Sequence, residues 1–166
     1  MNVLLFRHGQ KGLTPFDNPH LTADGFVQAE AILKSVNNKA LPDPTELWVS
    51  EKIRTTQTLQ FVGRNFKLAP RIRKELDLRQ DFETQKTFKD RVQSLVHEIT
   101  TSSQNNSELN TIYLCTHYDW IEEAMSLIPC DTDLKTYQFA HWGPAQFASF
   151  EIENGLWKFI KKGTCV

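Results

Sequence analysis

No stretch of this chain stays apolar long enough to cross a bilayer, so a membrane-spanning helix is excluded at the outset. Net charge is missing too. The 19 Lys and Arg stand against 20 Asp and Glu, a formal balance of −1 that offers no electrostatic attraction to nucleic acid or a membrane surface. Cysteine is scarce: Cys115, Cys130 and Cys165 form an odd set without metal-ligand spacing. Reduced thiols in the cytoplasm are the simplest expectation, with Cys115 in a core strand. The opening residues show neither the basic n-region nor the h-region of a secretory signal, which adds to the cytoplasmic expectation. Internal repeats and low-complexity segments are lacking.

What is present suits one domain over residues 1–166. A domain of this length buries roughly 70% of its unfolded surface and needs no disulfide or metal staple. Strands and helices alternate. Val3-Leu4-Leu5-Phe6 reads as a strand buried on both faces, followed by a Pro-, Asp- and Asn-bearing loop to residue 21. Thr22 caps a helix with Phe26, Ala29, Ile32, Leu33 and Val36 on its apolar face, ending near Asn37-Asn38. Leu47-Trp48-Val49 is a second strand, and a helix from Ile53 to about Phe66 follows with Ser50 as its expected cap. Pro70 argues for no more than a short edge strand in residues 68–78, with irregular chain to Gln85. A helix is predicted from Phe88 to Thr100, then an exposed polar loop over 101–110. Residues 111–115 are a third buried strand, 119–128 a helix stopped by Pro129, and Asn154-Gly155 between apolar runs signals a terminal hairpin. The alternation implies a three-layer α/β/α sandwich with a mainly parallel central sheet.

Three strand ends carry unusual polar residues: Arg7-His8-Gly9, Ser50 with Arg54, and Thr116-His117. In a parallel sheet all three lie on the carboxyl edge, where ligands bind in open α/β folds. Two guanidinium forks match phosphate oxygens, and nearby helix N-termini add backbone donors for an anion. An imidazole among cations, with no carboxylate beside it, suits attack on phosphorus.

These pieces resemble the histidine phosphatase superfamily, the phosphoglycerate mutase-like fold. The resemblance rests on Leu5-Phe6-Arg7-His8-Gly9-Gln10, Leu21-Thr22-Ala23-Asp24-Gly25 with Gln28-Ala29, Ser50-Glu51-Lys52-Ile53-Arg54-Thr55-Thr56-Gln57-Thr58, and Leu114-Cys115-Thr116-His117. It covers nearly the whole chain. It implies that His8 is a nucleophile that becomes phosphohistidine, that Arg7, Arg54 and His117 hold the phosphoryl oxygens, and that no metal or other cofactor takes part. Gly9, Gln10, Ser50 and Thr116 are expected to line the substrate pocket; Gln10 and Thr116 alternatively only close hydrogen bonds.

The family's proton-donating Glu has no counterpart. Aligning Leu78-Arg79-Gln80 puts Gln at that position, and Glu75, Asp77 and Asp81 are the nearby acids that could substitute. The Gly-Trp stretch and cap insertion are absent, and Tyr118 stands where a glycine usually follows the second histidine. These departures resemble the short SixA-type phosphohistidine phosphatases. The expected substrate is then a phosphorylated protein, with a small phosphate ester, and so a small-molecule phosphomonoesterase or mutase-like enzyme, as the alternative and a catalytically weak phosphate-binding or protein-interaction module as the reading from another class. A monomer or weak dimer is expected. His20 and His141 are expected in surface or packing roles, with substrate contact as the alternative; His97 is expected in solvent, and Trp48, Trp120, Trp142 and Trp157 are expected as core or loop anchors.

Overall fold

A computed structural model describes residues 1–105 and 110–165. Strands β1 (Asn2–Arg7), β2 (Glu46–Val49), β3 (Arg71–Ile72), β4 (Thr111–Thr116), β5 (Gln146–Glu153) and β6 (Leu156–Thr164) form one sheet in the order β3-β2-β4-β1-β5-β6. The β3, β2, β4 and β1 strands run parallel, and β5 and β6 are antiparallel to their neighbours. Helices α1 (Ala23–Asn37) and α2 (Ile53–Phe66) cover one face; α3 (Gln85–Asn105) and α4 (Tyr118–Met125) cover the other. Side-chain alternation along the central strands separates the two cores. Leu4, Phe6, Leu47, Val49, Tyr113 and Cys115 pack with Ile32, Val36, Leu59 and Val62. Val3, Leu5, Trp48, Ile112 and Leu114 pack with Val92, Leu95, Trp120 and Ile121.

The register decides where the site falls. Arg7 pairs with Thr116, and Phe6 and Val49 both pair with Cys115, so β1, β2 and β4 end together. The antiparallel β5 begins at that same edge, with Phe147 opposite Phe6. The expected hairpin joins β5 to β6, with Asn154 at φ 53° and Gly155 at φ 78°, as a two-residue primed turn requires.

Several boundaries differ from expectation for local reasons. Thr22 does cap α1, its hydroxyl accepting from the Gly25 amide at 3.1 Å. Ser50 is not the N-cap of α2. Lys52 occupies that position, and the Ile53 amide is taken by Asn18 Oδ1 at 3.1 Å, from the loop after β1. The α3 helix starts early because the Thr84 hydroxyl accepts from the Thr87 amide at 3.1 Å. It continues through the first half of the expected 101–110 loop. There Thr100 and Ser103 hydroxyls donate back to Val96 and Thr100 carbonyls, at 2.7 and 2.6 Å. Residues 106–109 of that loop lie outside the described residues. The α4 helix closes at Met125, and Leu127 and Ile128 tighten into a turn on the Ala124 carbonyl before Pro129.

Gly25 reports how tightly α1 is held. A Cβ there would lie 2.3 Å from the Gln10 carbonyl oxygen, a backbone atom that cannot rotate aside. Gly25→Ala is expected to cost about 1–3 kcal/mol by overpacking. Urea unfolding should show a lower midpoint at unchanged slope; an unchanged midpoint would mean that α1 shifts freely away from the loop.

Candidate active site

Arg7 and His8 leave β1 at the sheet edge. The His8 amide donates to the Thr116 carbonyl at 3.0 Å, and its own carbonyl accepts from the Ala145 amide at 3.1 Å, so the residue is fixed between β4 and the start of β5. Its Nδ1 lies 2.7 Å from the Gly9 carbonyl oxygen. A carbonyl only accepts, so the proton sits on Nδ1 and the Nε2 lone pair is left for reaction. Gly9 is close enough to α1 that a Cβ would fall 3.1 Å from the Gly25 carbonyl oxygen. Its amide donates to Thr58 Oγ1 at 2.9 Å, a tie from α2 that sequence reasoning placed in a motif but gave no role.

His117 faces this imidazole, with ring centroids 5.3 Å apart. Arg54 Nη2 is 3.2 Å from His117 Nδ1, and a guanidinium can only donate, so Nδ1 accepts. The His117 proton is therefore on Nε2 and goes to Ser50 Oγ at 2.8 Å. Ser50, expected at the substrate, instead holds His117 and takes the Lys52 amide at 3.2 Å. Burial pushes both imidazoles down in pKa. His8 falls to about 3, with Arg54, Arg7 and Lys11 adding to burial against the Gly9 hydrogen bond. His117 falls well below its usual value through burial, then His8, Arg54, Lys52 and Arg7. Both rings are neutral at neutral pH.

The cations are the informative part. Arg7 donates Nη1 to the Trp142 carbonyl and lies over the Tyr118 ring at 5.5 Å. The Nε atoms of Arg7 and Arg54 are buried with no hydrogen-bond partner among the described residues. Burying a guanidinium donor unpaired is costly unless an anion completes it. Two guanidiniums with unpartnered donors beside a neutral imidazole have the chemistry to take a tetrahedral oxyanion. Neither Trp142 nor Tyr118 was expected here; the sequence signal was only that both flank a site histidine or glycine.

Other expected residues separate. Thr116 turns its hydroxyl onto the Leu76 carbonyl, and Gln10 Oε1 accepts from the Thr22 hydroxyl at 2.7 Å, so both close hydrogen bonds within the fold. Glu75 pairs with Arg73 at 3.1 Å, which holds its carboxyl below its ordinary pKa. Asp81 is exposed. Asp77 is buried, and its Oδ1 accepts from the Glu51 amide at 2.8 Å, one residue beyond Ser50. Burial, with the Glu51 carboxylate beside it, raises its pKa to about 6 against the Glu51 amide and Arg91. His20 accepts from Gln57 Nε2 at 2.9 Å; His141 stands edge-on to Tyr137, and both are exposed, as is His97. The four tryptophans are buried and the three cysteines are free. Among the described residues, no His, Cys, Asp and Glu cluster could hold a metal, and no helix is long and apolar enough to cross a membrane.

No protein-family model matches the chain, and no curated protein matches it in sequence. Solved structures do. The protein histidine phosphatase SixA complexed with tungstate superposes at a TM-score of 0.77 with 17% identity, over 99% of this chain and 97% of that one. The alpha-ribazole phosphatase from Shigella flexneri gives 0.77 and 14% over 100% and 98%. Phosphoserine phosphatase from Entamoeba histolytica, in complex with 3-phosphoglyceric acid, gives 0.72 and 13% over 98% and 96%. The whole chain has the fold these phosphatases share.

Proposed function

We propose that this protein, built on the histidine phosphatase fold, is a phosphatase that works through a phosphorylated His8 and takes protein phosphohistidine as substrate. The observation that carries this reading is the pairing of a neutral His8, its Nδ1 proton held by Gly9, with buried and unpartnered Arg7 and Arg54 donors. His8 Nε2 attacks phosphorus as the bond to the leaving atom breaks, forming a P–N bond; water then attacks, the P–N bond breaks and phosphate departs. The non-bridging oxygens meet Arg7 and Arg54, and His117, engaged at Nδ1 by Arg54 and at Nε2 by Ser50, holds the Arg54 guanidinium in position. No metal enters the reaction as written. The solved SixA neighbour supports the substrate class, and the tungstate it holds is a tetrahedral oxyanion. A cytoplasmic setting fits the three free thiols.

A phosphohistidine leaving group departs as neutral imidazole when its other ring nitrogen carries a proton, which solvent supplies near neutral pH, so no acid from the protein is required. An alkyl ester needs one. Of the three nearby acids, Asp77 is the one we assign to that role. It is fixed at the end of β2, and Leu76 beside it is held by Thr116, the residue before His117. Its carboxyl, at about 6, still carries a proton in mildly acidic solution. The acid form prevails well below pH 6 and is lost as pH rises through it. Alkyl ester hydrolysis should fall across that window, while His8 stays neutral down to about pH 3.

Asp77→Asn should lower kcat/KM for an alkyl phosphate by about 100-fold and flatten that limb, yet change an aryl phosphate by no more than about threefold. Equal losses on both substrates would remove Asp77 from the proton path. The substrate class is tested by comparing a phosphohistidine peptide with a panel of phosphate monoesters. Fast release from phosphohistidine and slow alkyl esters is the expected result. Fast alkyl ester hydrolysis would favour the small-ester reading, which the proton on Asp77 supports. Binding of phosphate without turnover of anything would leave a binding module.

A further inference from the structure

Four apolar side chains stand out in solvent on segments that meet the sheet edge bearing His8. Leu13 is 84% exposed, Phe16 96%, Phe82 85% and Tyr137 82%; the remaining large exposed hydrophobics among the described residues reach 63% at most. A single exposed apolar residue needs no explanation, but several on segments that share one sheet edge do. Leu13 and Phe16 are on the loop after β1. Phe82 is on the segment following β3, and Tyr137 is in the turn leading to β5. All three segments leave or enter the sheet at the edge that bears His8.

These segments are held in place while their apolar side chains are left bare. The β1 loop is tied to α2 through Asp17 and Asn18, whose carbonyl and amide oxygens accept from Lys52 Nζ at 3.2 Å and the Ile53 amide at 3.1 Å. The Phe82 segment is clamped by Arg91, which donates to the Asp77 carbonyl at 2.9 Å and the Leu78 carbonyl at 3.2 Å. Near Tyr137, the Tyr118 hydroxyl donates to the Ala140 carbonyl at 2.8 Å, and Arg7 donates to the Trp142 carbonyl. A small ester seated on Arg7 and Arg54 has no use for Phe16 at a loop tip.

We propose that Leu13, Phe16, Phe82 and Tyr137 form an apolar rim that docks a folded protein bearing a phosphorylated surface histidine. This rests on the phosphohistidine reading above and goes beyond it by naming the surface that selects the substrate. The occupant follows from the chemistry of rim and pocket together. Arg7 and Arg54, with Lys11 and Lys52 acting on the same imidazoles, complement a phosphoryl dianion at the centre. The bare rings and the leucine complement apolar surface around it, as exposed apolar side chains at a protein contact do.

The test uses a small folded protein with one surface histidine phosphorylated by potassium phosphoramidate, the short peptide holding that same phosphohistidine, and p-nitrophenyl phosphate. The wild type should prefer the folded protein to the peptide. Leu13→Ser with Phe16→Ser, and separately Phe82→Ser, should raise KM for the folded protein by about tenfold while leaving the other two substrates within about twofold. Because these side chains touch solvent, the fold should tolerate the changes, checked by circular dichroism. Equal losses on all three substrates, or no loss on the folded protein, would overturn the rim. A wild-type dimer that the double variant converts to monomer would assign the rim to a second copy and overturn it as well. A wild type that hydrolyses p-nitrophenyl phosphate but neither phosphohistidine substrate would fail at the earlier step, and the rim proposal would fall with the substrate reading.

Discussion

His8→Ala is expected to abolish turnover, lowering kcat by roughly 10⁴-fold or more, since removing a nucleophile leaves only binding and electrostatic effects. The neighbouring imidazole, His117, is held at both ring nitrogens by Arg54 and Ser50, so it is not free to take over as nucleophile. The Arg7 and Arg54 donors remain, and an oxyanion such as tungstate should still bind in part. Brief mixing of the wild type with radiolabelled substrate and an alkaline quench should trap a base-stable, acid-labile phosphoprotein that His8→Ala does not form. Wild-type rates in the variant, or a label on another residue, would refute covalent catalysis at His8.

Arg54→Ala should cost about 3 kcal/mol or more of transition-state stabilisation, read as a fall of roughly 100-fold or more in kcat/KM. Two effects combine. One is the direct loss of a guanidinium whose Nε is buried without a partner. The other is that His117 Nδ1 loses the donor that keeps its proton on Nε2 and so its bond to Ser50. Arg54→Lys should recover little, because a single ammonium cannot serve both His117 and a phosphoryl oxygen in the same fork. The unliganded fold tells the same story in reverse. Arg54 is buried, and burial lowers its pKa against the pull of Cys115, Asp119 and Asp77. Removing it should leave thermal stability unchanged or raised even as activity falls, the trade expected where a site stores an unpaired charge. A fall in stability matching the fall in rate, with kcat/KM restored by Lys, would make Arg54 a structural residue.

The imidazoles also link stability to pH. His8 has a folded-state pKa of about 3 and His117 one well below its usual value, so the folded chain refuses protons that the unfolded chain accepts near 6.5. Stability from both groups is therefore full above that pH and falls as acid is added, with the His8 part exhausted near pH 3. A bound oxyanion should soften this loss by stabilising the protonated rings.

Some of this was readable from residue order alone. Apolar runs at 3–6, 47–49 and 111–115, each followed by a helix-period segment, require a parallel sheet with helices on both faces. A parallel sheet then puts Arg7-His8, Arg54 and Thr116-His117 on one edge, whatever the packing details. The Asn154-Gly155 hairpin was legible because the two positive φ values it needs are a local property of those residues. Other features depend on partners far along the chain. Only the packed structure could hand the α2 amide to Asn18 rather than Ser50, turn Ser50 onto His117, or close Thr116 onto Leu76. It also separated three equivalent acids, since Glu75 meets Arg73 whereas Asp77 is buried against the Glu51 amide. Composition and periodicity state which faces a segment must bury, a local and additive matter. Which hydroxyl meets which ring, and which carboxyl keeps its proton, depends on distances between segments that come together only when the sheet closes.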